Sequence, residues 1–160
     1  MAGRGGNGGN DLKAPPRVSG PRKPHGFETL VTTLGGGTLD FSAMLAIADI
    51  LPVMVAYLDT SLIYRFVNKP LADWLGSSRR KILGRPVEEI IGVEAFGQRE
   101  ALYQVALGGE RTFYASEFEH PTRGHVAVES DYVPWADKHG VVRGIIVLFE
   151  DVTEQRSAEQ

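Results

Sequence analysis

The sequence predicts an α+β domain, an antiparallel sheet with its helices segregated on one side. Three observations predict it. The patterns run in the order helix, two strands, four helical segments, three strands and an exit helix. The helical segments fall together between the second and third strands instead of alternating with them, which excludes a parallel βαβ architecture. Finally, residues 141–154, VVRGIIVLFEDVTE, form the most apolar run of the chain, and the five apolar residues from Ile145 to Phe149 occupy both faces of a pleat. Neither face of such a strand can be left to water without cost, so each must be covered.

The elements follow from local signals. Residues 1–26 hold seven Gly and four Pro with almost no large apolar side chain, too little burial to offset ordering entropy, and are expected to be disordered. Residues 27–34 form a short apolar-polar patch that Gly35, Gly36 and Gly37 cut off, and it takes no assignment. Asp40 can cap a helix whose residues Phe41, Met44, Leu45 and Ala48 lie on one apolar stripe, ended by Pro52. Residues 53–58 and 62–67 make a hairpin around Asp59, Thr60 and Ser61. Asn68 ends the second strand and can cap a helix over 69–75, with Gly76 supplying its left-handed C-terminal residue. Short helical pieces over 77–83 and 86–91 close at Gly84 and Gly92. The longest helix covers 94–107, with Ala95, Phe96, Leu102, Tyr103 and Ala106 on one stripe. Strands over 111–118 and 126–135 flank a loop at 119–124, and Asp137 to Gly140 turn the chain into the last strand. That strand stops at Glu150. Asp151 is then placed to cap the exit helix, with Glu154 three residues on as the second half of a capping box.

The 160 residues with 42% hydrophobic content suit one domain with a single core. The division expected is a basic Gly/Pro-rich tail over 1–38, a folded domain with its N-terminal helix over 39–152, and the start of a C-terminal helix over 153–160. The chain has no Cys, which excludes disulfides, thiolate nucleophiles and cysteine-ligated metal clusters. No apolar run approaches the ~20 residues of a membrane span, and glycines stand where a signal peptide needs an apolar segment. The protein therefore reads as cytoplasmic, with no membrane partner. Residues 1–26 carry five Lys or Arg against one Asp, a net +4 that leaves −7 for the rest of a chain of net charge −3. A folded part so acidic is not expected to bind nucleic acid.

Several stretches carry a family resemblance: IYRFVNKPLADWLG at 63–76, ILGRPVEEIIG at 82–92, ALGGE at 106–110 and DYVPWADKHGVVRGIIVLFEDVTEQ at 131–155. The VN that ends the second strand, the LGRP turn, the P-x-x-D-x-x-G-x-V-x-G hairpin and the terminal D-V-T-E together resemble the PAS domain, in the sensory class found in bacterial two-component histidine kinases and cyclic-dinucleotide signalling proteins. The resemblance implies a five-stranded antiparallel sheet in the order 2-1-5-4-3 with helices over one face, and places the last strand at its centre. It implies a sensor that binds a small molecule between sheet and helices, or dimerises, and passes its state through a signal junction at Asp151, Thr153 and Glu154 to an effector. That effector lies either in a longer chain or in a separate protein. The rival reading is an interaction module that holds no ligand.

The resemblance also bounds the site. Covalent flavin chemistry in the family needs a Cys, and its haem members use a His on the long helix, which here has none, so haem and covalent flavin are not expected as cofactors and no metal site is assigned. His120 and His125 read as surface residues beside a loop. A ligand pocket would be lined by Phe66, Trp74, Ile91, Phe96, Tyr103, Phe113 and Val128, with Trp74 or Tyr103 as its polar handle, although the same side chains are also what a filled core needs. Phe41, Met44, Leu45 and Ala48 have few partners within one sheet and are expected to pack on its outer face and across the two-fold axis of a homodimer. Glu129 and Asp131 alternate onto one strand face and Glu117 and Glu119 onto another. No base, nucleophile or metal ligand accompanies them, so no catalytic residue is assigned and the chain is not read as an enzyme.

Overall fold

The computed structural model describes residues 41–159. The basic tail, the patch at 27–34 and the cap expected at Asp40 lie outside the described residues. Helix α1 (Phe41–Ile50) leads into the hairpin β1 (Met54–Asp59) and β2 (Tyr64–Val67). Helices α2 (Lys69–Trp74), α3 (Arg79–Ile82), α4 (Val87–Ile91) and α5 (Val93–Leu107) follow, then β3 (Thr112–His120), β4 (Gly124–Ala136), β5 (Val142–Asp151) and the exit helix α6 (Thr153–Ala158). The five strands form one antiparallel sheet in the order β2-β1-β5-β4-β3. The order and the central place of β5 are those expected. The loop at 119–124 is shorter than its polar sequence implied, because pairing continues to His120 opposite Gly124.

The strands divide the interior in two. Ala56, Leu58, Ile145, Val147 and Tyr132 face the helices and join Leu71, Ile82, Val87, Leu102, Tyr103 and Ala106 in the main core. Val53, Val55 and Leu148, with Phe66 and Ile146 against them, form a smaller cluster on the outer face. Both faces of β5 are thus buried, as its unbroken apolar run requires.

One buried amide joins the first elements. Asn68 has no exposed surface. Its Nδ2 donates to the carbonyls of Ala48 (2.8 Å) and Val53 (2.7 Å), while its Oδ1 accepts from the amides of Val55 (2.9 Å) and Leu71 (3.2 Å). The cap expected on α2 is present, and the same side chain fastens α1 to β1. Asp49 adds an ion pair to Arg79 and accepts from the Lys69 amide. Ala48 is consequently buried within the chain's own core and Leu45 is half-buried. The side chains of Phe41 and Met44 lie outside the description.

Both β-hairpins at the ends of the central strands are closed by an aspartate. Asp59 Oδ1 accepts from the amides of Ser61 and Ile63 and its Oδ2 pairs with Arg65; Asp137 Oδ1 accepts from His139 and Val141 and its Oδ2 pairs with Arg143. Desolvation pushes the Asp59 carboxyl up, but the Arg65 bond and the two amides outweigh it, so the group titrates below its ordinary value of 3.8; at Asp137 the Arg143 bond leads in the same direction. A lowered folded pKa contributes stability above the ordinary value and loses it as the pH falls through the lower folded value. The amides of Ser61, Ile63, His139 and Val141 are therefore expected to titrate in NMR spectra with midpoints below pH 3.8, and Asp59→Asn to abolish the first pair of these transitions. Carboxyl titration of Asp59 at or above its ordinary value would refute the account.

Candidate functional site

Register assigns every strand side chain to a face. From Tyr132 on the inner, helix-covered face, pairing carries that face through Val126, Val128 and Ser130 on β4 and through Tyr114, Ser116, Phe118 and His120 on β3. The opposite parity puts Glu117, Glu119, Glu129, Asp131 and Glu150 together on the outer face. Glu117 and Glu119 therefore share a face with Glu129 and Asp131, because paired strands keep one pleat in common. Asp131 is not a solvated residue: it is fully buried, and Arg111 holds it with Nε at 3.0 Å and Nη2 at 2.5 Å.

The inner face carries a polar patch inside an aromatic core. Phe96 stacks on Tyr103 with centroids 5.8 Å apart, and Tyr103 meets the Tyr132 ring edge-on at 5.4 Å. On the same sheet face Ser116 Oγ, Ser130 Oγ and Tyr132 Oη are buried and have no partner within hydrogen-bond geometry. Leaving such a group unpaired costs about 1–3 kcal/mol, so three on one face set this patch apart from the surrounding apolar core. Arg99 projects from the same stripe of α5. It donates one bond, Nη1 to the Ala95 carbonyl at 3.0 Å, and its guanidinium lies 5.5 Å from the Tyr114 ring centroid. Burial pushes the Tyr132 phenol up to about 12, and the charge of Arg99 opposes it in part; Ser130 and Arg99 lie close to that phenol without reaching hydrogen-bond geometry. Tyr64 and Tyr103 are raised by burial too, with Arg99 again opposing. All three phenols stay protonated and able to donate at neutral pH.

Of the residues expected to line a pocket, the structure brings Ile91, Phe96, Tyr103 and Val128 to the inner side. Phe66 and Phe113, also expected there, lie on the other face of the sheet. Phe66 packs in the outer cluster beneath Arg79, and Phe113 lies opposite Asp131 on the outer face, 5.2 Å from the Arg111 guanidinium. Each is one residue out of phase with the inner positions, a shift that aromatic character does not reveal. Trp74 lies at the margin of the patch, against Phe118 (6.4 Å) and His120 (4.4 Å), with Arg123 above its ring. His120 is a buried tie and not a surface residue: its Nε2 bonds the Trp74 carbonyl at 2.9 Å and its Nδ1 accepts from the Thr122 amide. Among the described residues no group of His, Asp and Glu could hold a metal ion.

Sequence reasoning passed over Arg99, Ser116, Ser130 and Tyr114. A signal was present, since Arg99 is three residues from Phe96 and four from Tyr103 on an apolar stripe, and Ser130 interrupts the alternation of Val126, Val128 and Tyr132.

The exit differs from a capping box. Asp151 stays extended because it pairs with Val128, so Val152 becomes the residue before the helix and Glu154 falls one position too early to bond back. Asp151 Oδ1 instead accepts from both the amide (3.0 Å) and the hydroxyl (2.5 Å) of Thr153, and the Thr153 hydroxyl oxygen accepts from the Ala127 amide at 3.0 Å. The Val152 amide donates to the Ala127 carbonyl, and Arg156 reaches Glu117 (3.4 Å) and Glu129 (3.7 Å). The exit helix is thereby tied to β4 and β3.

A family model described as the PAS fold matches residues 48–157. No curated protein matches. Among solved structures, a C-terminal domain from Streptococcus mutans is similar with a TM-score of 0.60 at 19% identity, over 78% of this chain and 93% of that one. VqmA of Vibrio cholerae gives 0.62 at 19% identity, over 74% and 53%, so the chain spans about half the length of VqmA. The PAS domain of Bordetella pertussis BvgS gives 0.58 at 23% identity, over 72% and 88%. At these identities the likeness is one of fold. The family match runs from within α1 to within α6, and with the sheet order it settles the assignment: this chain belongs to the PAS fold family.

Proposed function

We propose that the chain is a sensory and regulatory domain that dimerises and passes the state of its interior through Asp151, Thr153 and Glu154 to an effector such as a histidine kinase or a cyclic-dinucleotide enzyme. The observation that carries this reading is the Thr153 hydroxyl, which accepts from β4 and donates to the end of β5 in one step. Ala127 adjoins Val128, which pairs with Ser116 on one side and Asp151 on the other. A displacement of the inner-face patch therefore reaches the exit helix through paired backbone, without a flexible segment between. Ile50, at the end of α1 and 81% exposed, leaves a large apolar side chain on the face of α1 turned away from buried Ala48, and that exposed group supports a dimer. The acidic charge of residues 27–160 disfavours nucleic acid as a partner, and no described helix is long and apolar enough to cross a membrane.

The test is a fusion of this chain to a kinase reporter, sized by ultracentrifugation. Thr153→Val and Asp151→Ala each remove bonds worth about 1 kcal/mol at an exposed site, roughly a five-fold change in the docked-to-frayed ratio of α6. A dimeric fusion is expected whose response falls several-fold in both variants while the domain's melting stays within about 3 °C. A monomer, or a response untouched in both variants, would sink the proposal.

A further inference from the structure

We propose that the interior takes a small carboxylate, its anionic head held by Arg99 and its remaining polar contacts made by the hydroxyls of Ser116, Ser130 and Tyr132. The inference rests on the sensory reading above and gives it a ligand class. The strands sort charge by face. Glu117, Glu119, Glu129, Asp131 and Glu150 all stand on the outer face, whereas the inner face of β3, β4 and β5 carries no acidic side chain short of Asp151 at its exposed end, which is engaged with Thr153. Into that neutral, hydroxyl-lined interior α5 sends an arginine from its buried stripe.

Arg99 has no carboxylate partner among the described residues; it donates to the Ala95 carbonyl and lies beside the Tyr132 hydroxyl. Its guanidinium lies over the Tyr114 ring and keeps further donors for a planar two-oxygen partner. Ser130 is 1% exposed and Tyr132 is fully buried, and their hydroxyls are unpaired like that of Ser116. Protonated hydroxyls donate to carboxylate oxygens, so one anion would pair both the guanidinium and these groups. A neutral amide would serve the hydroxyls and leave the cation unmatched. A cationic ligand would find no acceptor charge and would face Arg99. The interlocked rings of Phe96, Tyr103 and Tyr132 limit the ligand's size.

The experiment titrates the full chain with benzoate and hexanoate, and with benzamide and hexanamide as neutral matches, by calorimetry and by amide NMR. At least one acid is expected to bind roughly tenfold tighter than its amide, moving the resonances of Ser116, Ser130 and Tyr132. Arg99→Gln should remove that preference and Arg99→Lys should keep part of it, both at unchanged melting temperature. Equal binding of acid and amide, or an Arg99→Gln variant that keeps the preference, overturns the anion assignment and leaves interior sensing standing. Acids that fail to bind at millimolar concentration while an amide binds do the same. Binding that moves only outer-face resonances such as Glu117 and Glu129, or no binding by either series, overturns the interior site as well.

Discussion

Asn68→Ala is expected to destabilise the domain by about 4 kcal/mol and to lower its melting temperature by roughly 15 °C. The amide satisfies four backbone groups: the carbonyls of Ala48 in α1 and of Val53 just before β1, and the amides of Val55 in β1 and Leu71 in α2. Alanine leaves all four without this partner at a site closed to water, and each unpaired buried group costs about 1–3 kcal/mol unless the backbone relaxes toward solvent. Against a typical domain stability of about 5–15 kcal/mol that loss is large. Asn68→Asp separates the hydrogen bonds from the shape. An aspartate keeps the acceptor for Val55 and Leu71 but loses both donors and buries a charge, so it should be at least as damaging at neutral pH. Burial raises such a carboxyl's folded pKa above its unfolded value, so the variant should recover part of its stability as the pH falls and the group gains a proton. Chemical denaturation at two pH values measures both effects. A loss under about 1 kcal/mol in Asn68→Ala would mean that the four groups find other partners and that the junction is not what holds α1 to the sheet.

Features that act through near neighbours in the chain are legible in the sequence. The Val-Asn at 67–68, the aspartates of the two hairpins and the double-faced apolar run of β5 act through neighbours a few residues away, and each reads directly as a cap, a turn or a central strand. Those signals were enough for the element order and, with the family resemblance, for the sheet order. The site was less legible, because face depends on register and register is set by pairing. Phe66 and Phe113 read as inner residues by size and sit outside by parity, while the inner hydroxyls of Ser116 and Ser130 look like ordinary solvated positions in a strand. Asp151 was misplaced for a related reason. Its sequence context is that of a helix cap, but pairing with Val128 holds it extended, and the cap passes to a valine whose side chain makes no such bond. His120 shows the same effect, since only the closeness of α2 to the end of β3 makes a histidine beside a polar loop into a buried tie to Trp74.

The second large effect is expected at Gly144, in β5 between Asp59 of β1 and Trp135 of β4. A Cβ added there would run into the Leu58 carbonyl oxygen and would come within 2.6 Å of the Tyr57 hydroxyl and 2.7 Å of its ring. Gly144 has no left-handed backbone, so the requirement for glycine is one of space and not of torsion. The obstacles are not equally soft. The Tyr57 ring can swing once its bond to the Arg143 carbonyl is given up, but the Leu58 carbonyl belongs to the β1–β5 ladder and moves only if the ladder does. Gly144→Ala is therefore expected to cost about 3 kcal/mol, the upper end of what overpacking usually costs. Adding Tyr57→Leu should return only part of it, because the clash with the carbonyl remains. Amide NMR should show the displacement running down β5 to the pairing of Asp151 with Val128 and weakening the Thr153 bonds there. Thermal melts of the single and double variants check the first claim and Thr153 chemical shifts the second. Full rescue by Tyr57→Leu would assign the whole requirement to the ring, and a Gly144→Ala variant that melts like the parent would show that β1 and β5 approach less closely than their pairing demands.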